Sequence, residues 1–320
     1  MSDFTTEQET KFEPDNSSHL YPRKPVLVER QQNALMRSLI SLFIYALLFY
    51  FIFDRNLAYI AAILLVIIVH EMGHFAMMKL FNYSNVKIFI IPLLGAYTSG
   101  SKQQVSQGQL SLIILAGPVP GILIGCLLFF YNRDLHNETL TMLSNTFLVI
   151  NLLNCLPFHP LDGGRLMETL FFKENHVIRL AFGIISVIAL LLLFVFLQSF
   201  VLIIIPVIIC VELFNENKLQ KIRDYLKQEK VNYHTDYDNL PDKNYWLIRD
   251  CLLLSFPKKY VGIIAGKYDY SIIEPIIIQH VQTVLQVNLA LDLNVLKKIL
   301  VVLFYIFIFA GPIALFLAYR

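Results

Sequence analysis

With 320 residues, 56% of them hydrophobic and 16% charged, the chain stands apart from soluble domains, which run near 45–50% apolar and about 25% charged. A formal net charge of +2 gives no footing for a nucleic-acid partner, and Cys126, Cys155, Cys210 and Cys251 are too scattered for a disulfide framework or a CxxC metal site. The mean hydropathy of +0.59 points to an all-α membrane protein built as a polytopic helix bundle.

Residues 1–34 are polar, carry charges of both signs and include Pro14, Pro22 and Pro25, which reads as a mobile tail and not as a secretory signal. Apolar runs follow at Leu35 to Phe53, Leu57 to Leu80, Leu110 to Tyr131, Leu140 to Leu156, Val177 to Leu197, Phe200 to Phe214 and Ile299 to Tyr319. At 1.5 Å per residue these give about seven spans. Six lie in a core over 35–214, the fifth and sixth parted only by Gln198 and Ser199, and one forms a C-terminal membrane helix over 299–319. Between the second and third spans, Val86 to Pro92 is rich in β-branched and aromatic residues, as expected of a short membrane-associated β segment.

Basic residues collect in cytoplasmic connections, so their placement orients the chain. With the N-terminus in the cytoplasm, the outer connections hold only Arg55 and Arg133, and Arg320 follows the last span. Fusing spans five and six would put the many lysines and arginines between Lys218 and Lys298 outside, against the same rule. The stretch 215–298 then reads as a small helical cytoplasmic domain, with Pro241 and Pro275 in first helical turns and Tyr245, Trp246, Ile248 and Leu252 on one apolar side. It has no phosphate loop or metal-ligand spacing, so the partner of this domain is not legible.

The chemistry lies inside the second span, where His70-Glu71-Met72-Gly73-His74 spells H-E-x-x-H. On a helix, imidazoles at i and i+4 stand one turn apart on one face, the arrangement that two tetrahedral zinc ligands need, and Glu71 sits beside them as a base. Ionisable groups in an apolar membrane helix are functional candidates by default. The structural alternative is a histidine pair hydrogen-bonded into helix packing. A catalytic zinc site needs a third protein ligand, and Asp162, after the fourth span, is the candidate at matching depth. There Pro157 and Pro160 break the helix and Gly163-Gly164 allow close backbone approach. His159, Cys155 and Glu168 are further candidate ligands, with His159 better suited to a supporting role. Gly117, Gly121 and Gly125, spaced by four in the third span, form a close-packing face.

The chain resembles the site-2 protease family of intramembrane zinc metalloproteases. The resemblance rests on the H-E-x-x-H of His70 to His74 and on the pattern N-x-x-P-x-x-x-L-D-G, carried by Asn154, Pro157, Leu161, Asp162 and Gly163. Gly95-Ala96-Tyr97 and Ala116-Gly117-Pro118 are softer matches. It implies Zn2+ held by His70, His74 and Asp162, Glu71 as catalytic base and Asn154 near the reacting peptide. It also implies lipid surroundings and, as partners, the transmembrane helices of membrane-protein substrates. An unwound substrate would pair with the Val86 to Pro92 strand. The eight or so residues between spans three and four leave no room for the PDZ domain of some members, and no nucleotide-sensing tandem domain follows. Two other classes remain: a transporter or metal-permeation protein, and an inactive membrane receptor of the same fold.

Overall fold

The computed structural model describes residues 21–26, positions 40, 43, 44, 47 and 50, and residues 56–91, 95–102, 104–172, 175–197, 204–286 and 288–318. Most of the expected first span, Leu35 to Phe53, and the start of the sixth, at Phe200, lie outside the described residues, as do most of residues 1–34. The described chain is mostly helical and divides into two compact units, residues 30–217 with 287–320, and residues 1–29 with 218–286.

The larger unit begins with α1 (Leu57–Leu80), whose start is capped by the Asn56 side chain accepting from the Tyr59 N–H. Ile63, Val66, His70, His74 and Met78 are buried at three- and four-residue intervals, so the H-E-x-x-H histidines lie on the face that packs inward. Strands β1 (Ser84–Ile91) and β2 (Gly95–Ser101) form an antiparallel hairpin that packs against α1. The third expected span is two helices, α2 (Gln107–Ala116) and α3 (Pro118–Asn132), because Pro118 cannot donate to the preceding turn and sits at a helix start instead. Next come α4 (Glu138–Asn154), the short α5 (Asp162–Met167), which runs on through a wide turn at Glu168–Phe172, and α6 (His176–Leu197). Helix α7 (Ile204–Gln228) continues the chain out of this unit.

Among the described residues, three helical stretches are long and apolar enough to cross a membrane: Leu57–Leu80, Gln107–Asn132 and the C-terminal helix Val295–Ala318. Their 24 to 26 residues would span roughly 36–39 Å, more than a hydrocarbon core of about 30 Å requires. One cluster of buried side chains unites Ile114, Leu115 and Ile122 with Leu148, Cys155, Leu166 and Leu170, and draws in Tyr305 and Ile308 of the C-terminal helix.

The smaller unit packs α8 (Asp242–Ser255) against α9 (Glu274–Val284). Tyr245, Trp246, Ile248 and Leu252 are buried, with Ile277, Val281 and Val284 opposite, and Pro241 is the N-cap of α8 while Pro275 lies in the first turn of α9. Part of the stretch read as a mobile tail is bound here: the Trp246 indole donates to the Pro22 carbonyl, the Lys24 ammonium to the Tyr237, Asp238 and Leu240 carbonyls, and the Lys24 N–H to Asp242. Composition carries no sign of this, because Pro22 and Pro25 contribute backbone carbonyls, to the Trp246 indole and the Tyr237 hydroxyl, which any residue type offers.

Arg249 is wholly buried. Its guanidinium donates to both oxygens of Glu274 at 2.9 and 3.3 Å, the Tyr245 hydroxyl and the Ser271 N–H and hydroxyl donate to the same carboxylate, and the Trp246 ring lies beneath the cation. Strand β4 (Asn288–Ala290) and α10 (Val295–Ala318) return to the larger unit, β4 pairing parallel with β3 (Gln104–Ser106). Asp292 caps the region by accepting from the Gly108 N–H at 2.9 Å.

Burial pushes the Glu274 carboxyl up, but hydrogen bonds from Arg249, Tyr245 and Ser271 outweigh it and hold the group below the ordinary glutamate value. A lowered folded value stabilises the unit above the unfolded pKa of about 4.3, and that stability is lost as pH falls through the folded value. Trp246, the chain's single tryptophan, is the probe. Its emission should stay blue-shifted above about pH 4.3 and shift red as acid protonates Glu274. Arg249→Met, which leaves the carboxylate buried without its cation, should destabilise the unit by about 3–5 kcal/mol near neutral pH and weaken the acid-triggered red shift, because burial then pushes the carboxyl up. Identical acid profiles for the two proteins would show that this pair is not what holds the unit together.

Candidate active site

The site is assembled on α1 from both sides. His70, Glu71, His74 and Asp162 are each 5–6% exposed, although they come from two stretches of chain 88 or more residues apart by number. Asp162 Oδ2 lies 2.9 Å from His70 Nε2 and 3.3 Å from His74 Nε2, and the two Nε2 atoms are 3.2 Å apart. The structure therefore brings together three of the residues singled out in the sequence, His70 and His74 by spacing and Asp162 by depth and the helix break around it. Glu71 forms, with His70 and His74, a buried group able to hold a metal ion, its carboxylate within 4.8 Å of the imidazole nitrogens.

The outer nitrogens decide what the inner ones can do. His70 Nδ1 is 2.8 Å from Asn151 Oδ1, and His74 Nδ1 is 2.8 Å from the Ile113 carbonyl in the last turn of α2. Both partners are acceptors, so in the neutral rings each Nδ1 carries the proton and each Nε2 presents a lone pair inward. Two lone pairs and a carboxylate oxygen then face one another with no N–H between them, an arrangement that a shared cation relieves. Tetrahedral zinc with ligand bonds of about 2.0–2.1 Å sets ligand atoms about 3.3 Å apart, close to the separations found. The donor set fits the metal that the spacing suggested.

Glu71 is held from the hairpin as well. The Thr98 hydroxyl in β2 lies 2.8 Å from Glu71 Oε2 and 3.2 Å from the Glu71 carbonyl, so the hairpin holds the carboxylate in place. The turn that delivers Asp162 is irregular but bonded. Phe158 N–H donates to the Leu156 carbonyl, Leu161 N–H to Phe158, and His159 N–H to the Ser186 hydroxyl, while the Tyr305 hydroxyl donates to the Cys155 carbonyl. Arg165 reaches toward the second Asp162 oxygen at 3.5 Å.

Other candidates fall outside the cluster. The His159 ring stands between Glu168 at 3.1 Å and Glu212 at 3.2 Å, which occupies both ring nitrogens and turns Glu168 away from His70 and His74. The Asn154 amide donates to the Ile150 carbonyl of its own helix at 3.0 Å, and none of its hydrogen bonds among the described residues reaches the cluster. Asn151 and Thr98 are the residues that sequence reasoning missed. Asn151 carried one usable signal, a polar amide inside an apolar helix; Thr98 carried none, because only the hairpin's docking brings it to Glu71.

Residues 58–133 match the family model of Peptidase family M50. Stage IV sporulation protein FB of Bacillus subtilis (strain 168) is 28% identical over 114 residues, 35% of this chain. The chain spans 40% of that relative's length. Both matches support the resemblance of this segment to the site-2 protease family. Among solved structures, a site-2 protease from Methanocaldococcus jannaschii is similar at 19% identity and a TM-score of 0.43, over 55% of this chain and 88% of its own. Likeness at that level fixes neither a helix count nor a domain arrangement. The match to Peptidase family M50 and the three apolar helical stretches together support an integral membrane protein.

Gly117 is the closest constraint on the site from outside the ligand set. A Cβ there would come within 2.3 Å of His74 Nε2 and 2.9 Å of His70 Nε2, in the space between the ligand atoms. Gly117→Ala should therefore lower zinc occupancy of the purified protein at least tenfold, measured by elemental analysis, while far-ultraviolet circular dichroism stays unchanged. Full occupancy in that variant would place the metal elsewhere.

Proposed function

We propose that the chain is an intramembrane zinc metalloendopeptidase that hydrolyses peptide bonds within or near the transmembrane segments of membrane-protein substrates. The observation that supports this most strongly is the convergence of His70 Nε2, His74 Nε2 and Asp162 Oδ2 within 3.3 Å, beside a buried carboxylate that is not needed as a ligand. His70, His74 and Asp162 would hold Zn2+, which when bound supplies a Lewis acid that acidifies water and polarises a carbonyl. Glu71 takes the proton of the attacking water and hands it to the departing amide nitrogen, so that one carboxylate serves as base and then as acid. Thr98 keeps that carboxylate in one orientation through both transfers.

The supporting structure suits a lipid-embedded substrate. A membrane helix bonds its own carbonyls, so it must unwind before attack, and the β1–β2 hairpin beside α1 offers an extended partner for the unwound stretch. Cleavage is expected where Gly, Pro, Asn or Ser weaken the substrate helix. The chain is taken to sit with its N-terminus cytoplasmic, about seven spans, and residues 215–298 as a cytoplasmic domain. Asn154 is retained as a residue near the peptide, which requires its amide to leave the Ile150 carbonyl when substrate enters.

Glu71→Gln keeps size and hydrogen-bonding capacity but removes the base. Zinc content should be unchanged while cleavage of a reconstituted single-span substrate falls by roughly 10²- to 10⁴-fold. Asp162→Ala should instead lose zinc. Cleavage by Glu71→Gln at the wild-type rate would remove Glu71 from the mechanism. Zinc flux across liposomes that depends on His70 and Asp162, without cleavage by any form, would favour permeation over proteolysis. For topology, a reporter fused after Lys230 should read cytoplasmic and one inserted near Asn137 external; the reverse at either site overturns the orientation.

A further inference from the structure

Asn151 has no exposed surface, and every polar atom of its side chain is committed. The amide nitrogen donates to the Phe147 carbonyl at 2.8 Å, one turn back in α4, and the amide oxygen lies 2.8 Å from His70 Nδ1. The orientation of the amide follows from chemistry. A backbone carbonyl only accepts, so the NH2 group must face Phe147, which leaves the oxygen facing His70. The histidine then has to present a proton on Nδ1. From the other side, α3 closes on the amide at Gly121, where a Cβ would come within 2.1 Å of Asn151 Nδ2 and 2.5 Å of Cγ. Gly121, read from spacing as mere helix packing, is thus the opening that accommodates this side chain. The rotamer is fixed by a carbonyl on its own helix and by a neighbouring helix backbone.

The two histidines are supported unequally. His74 Nδ1 is fixed by a main-chain carbonyl, which no side-chain substitution at Ile113 removes. His70 Nδ1 depends on a side chain, so its tautomer and ring orientation have a single replaceable determinant. Loss of an outer hydrogen-bond partner from a metal-binding imidazole typically costs 10- to 100-fold in affinity. We infer that Asn151 is a positioning residue that holds His70 as the Nδ1–H tautomer with Nε2 aimed at Asp162 and His74, and thereby sets the zinc affinity of the centre. This rests on the zinc reading proposed above.

The test compares Asn151→Leu with Asn151→Asp in the full-length protein in detergent, with zinc affinity read by competition against a chromogenic chelator. Leucine matches the volume and suits an apolar helix but accepts no hydrogen bond. Aspartate keeps an acceptor facing His70 Nδ1 and gives up the donor to Phe147. Positioning predicts a 10- to 100-fold weaker zinc affinity for Asn151→Leu and an affinity within a few-fold of wild type for Asn151→Asp. A packing role predicts the opposite order, since leucine is the better fit to an apolar interior. If the leucine variant does not accumulate, Asn151→Ala adds no volume and serves in its place, with the same loss expected. Wild-type affinity in Asn151→Leu or Asn151→Ala overturns the inference alone. Failure of the wild-type protein to bind zinc overturns the metal reading and the inference with it.

Discussion

The arrangement on which the rest depends is three electron-pair donors held face to face. His70 Nε2, His74 Nε2 and Asp162 Oδ2 lie within 3.3 Å of one another in a buried place, with both Nδ1 protons directed outward to Asn151 and Ile113. Such a cluster opposes its own formation, because the carboxylate loses its water and the lone pairs repel. It persists because each group is tied from behind. Helix α1 spaces the imidazoles, α2 and α4 supply the acceptors, and the bonded turn after α4 delivers the aspartate. A divalent cation at the centre would turn this mutual repulsion into coordination.

Close approach of helices follows from that requirement. Side chains as short as Asp and Asn reach the imidazoles of α1 only if α2, α3 and α4 crowd it, and glycine supplies the room at the two positions where a methyl group would strike a ligand ring or its partner. The break between α2 and α3 belongs to the same economy of space. Proline at 118 ends hydrogen bonding of the preceding turn, and Gly117 at the break faces the histidine rings. A feature that reads in sequence as small-residue packing is, in three dimensions, the wall of the site.

What was legible in the sequence divides along the range of the interactions. His70, Glu71 and His74 declare themselves because helical periodicity alone places i and i+4 together. Asp162 stands out through the Pro and Gly around it. The hairpin after α1 was visible in its β-branched content. Asn151 and Thr98 were not found, since each acts on a residue 81 or 27 positions away; the polar amide of Asn151 in an apolar helix was the one local sign, and Thr98 had none. Asn154 attracted attention by motif, yet its neighbour one turn earlier makes the contact with His70. The docking of Pro22 and Lys24 was hidden for a related reason: the bonds run largely through main-chain carbonyls, which composition does not register.

The order of the chain adds a last constraint. Residues 218–286 form a unit with its own apolar core and its own buried ion pair, yet they interrupt the larger unit between α7 and β4. The segment that follows them is not peripheral to the larger unit. Strand β4 pairs with β3, Asp292 caps the start of α2, and the Tyr305 hydroxyl takes up the Cys155 carbonyl at the head of the turn that carries Asp162. Contacts of such sequence separation form late, because loop closure must precede them. The turn that carries Asp162 thus depends on a contact from the C-terminal helix, which lies beyond the inserted unit in the chain. A truncated chain ending before α10 would retain the complete H-E-x-x-H helix and the aspartate itself, but would lack the hydroxyl that secures the aspartate's turn.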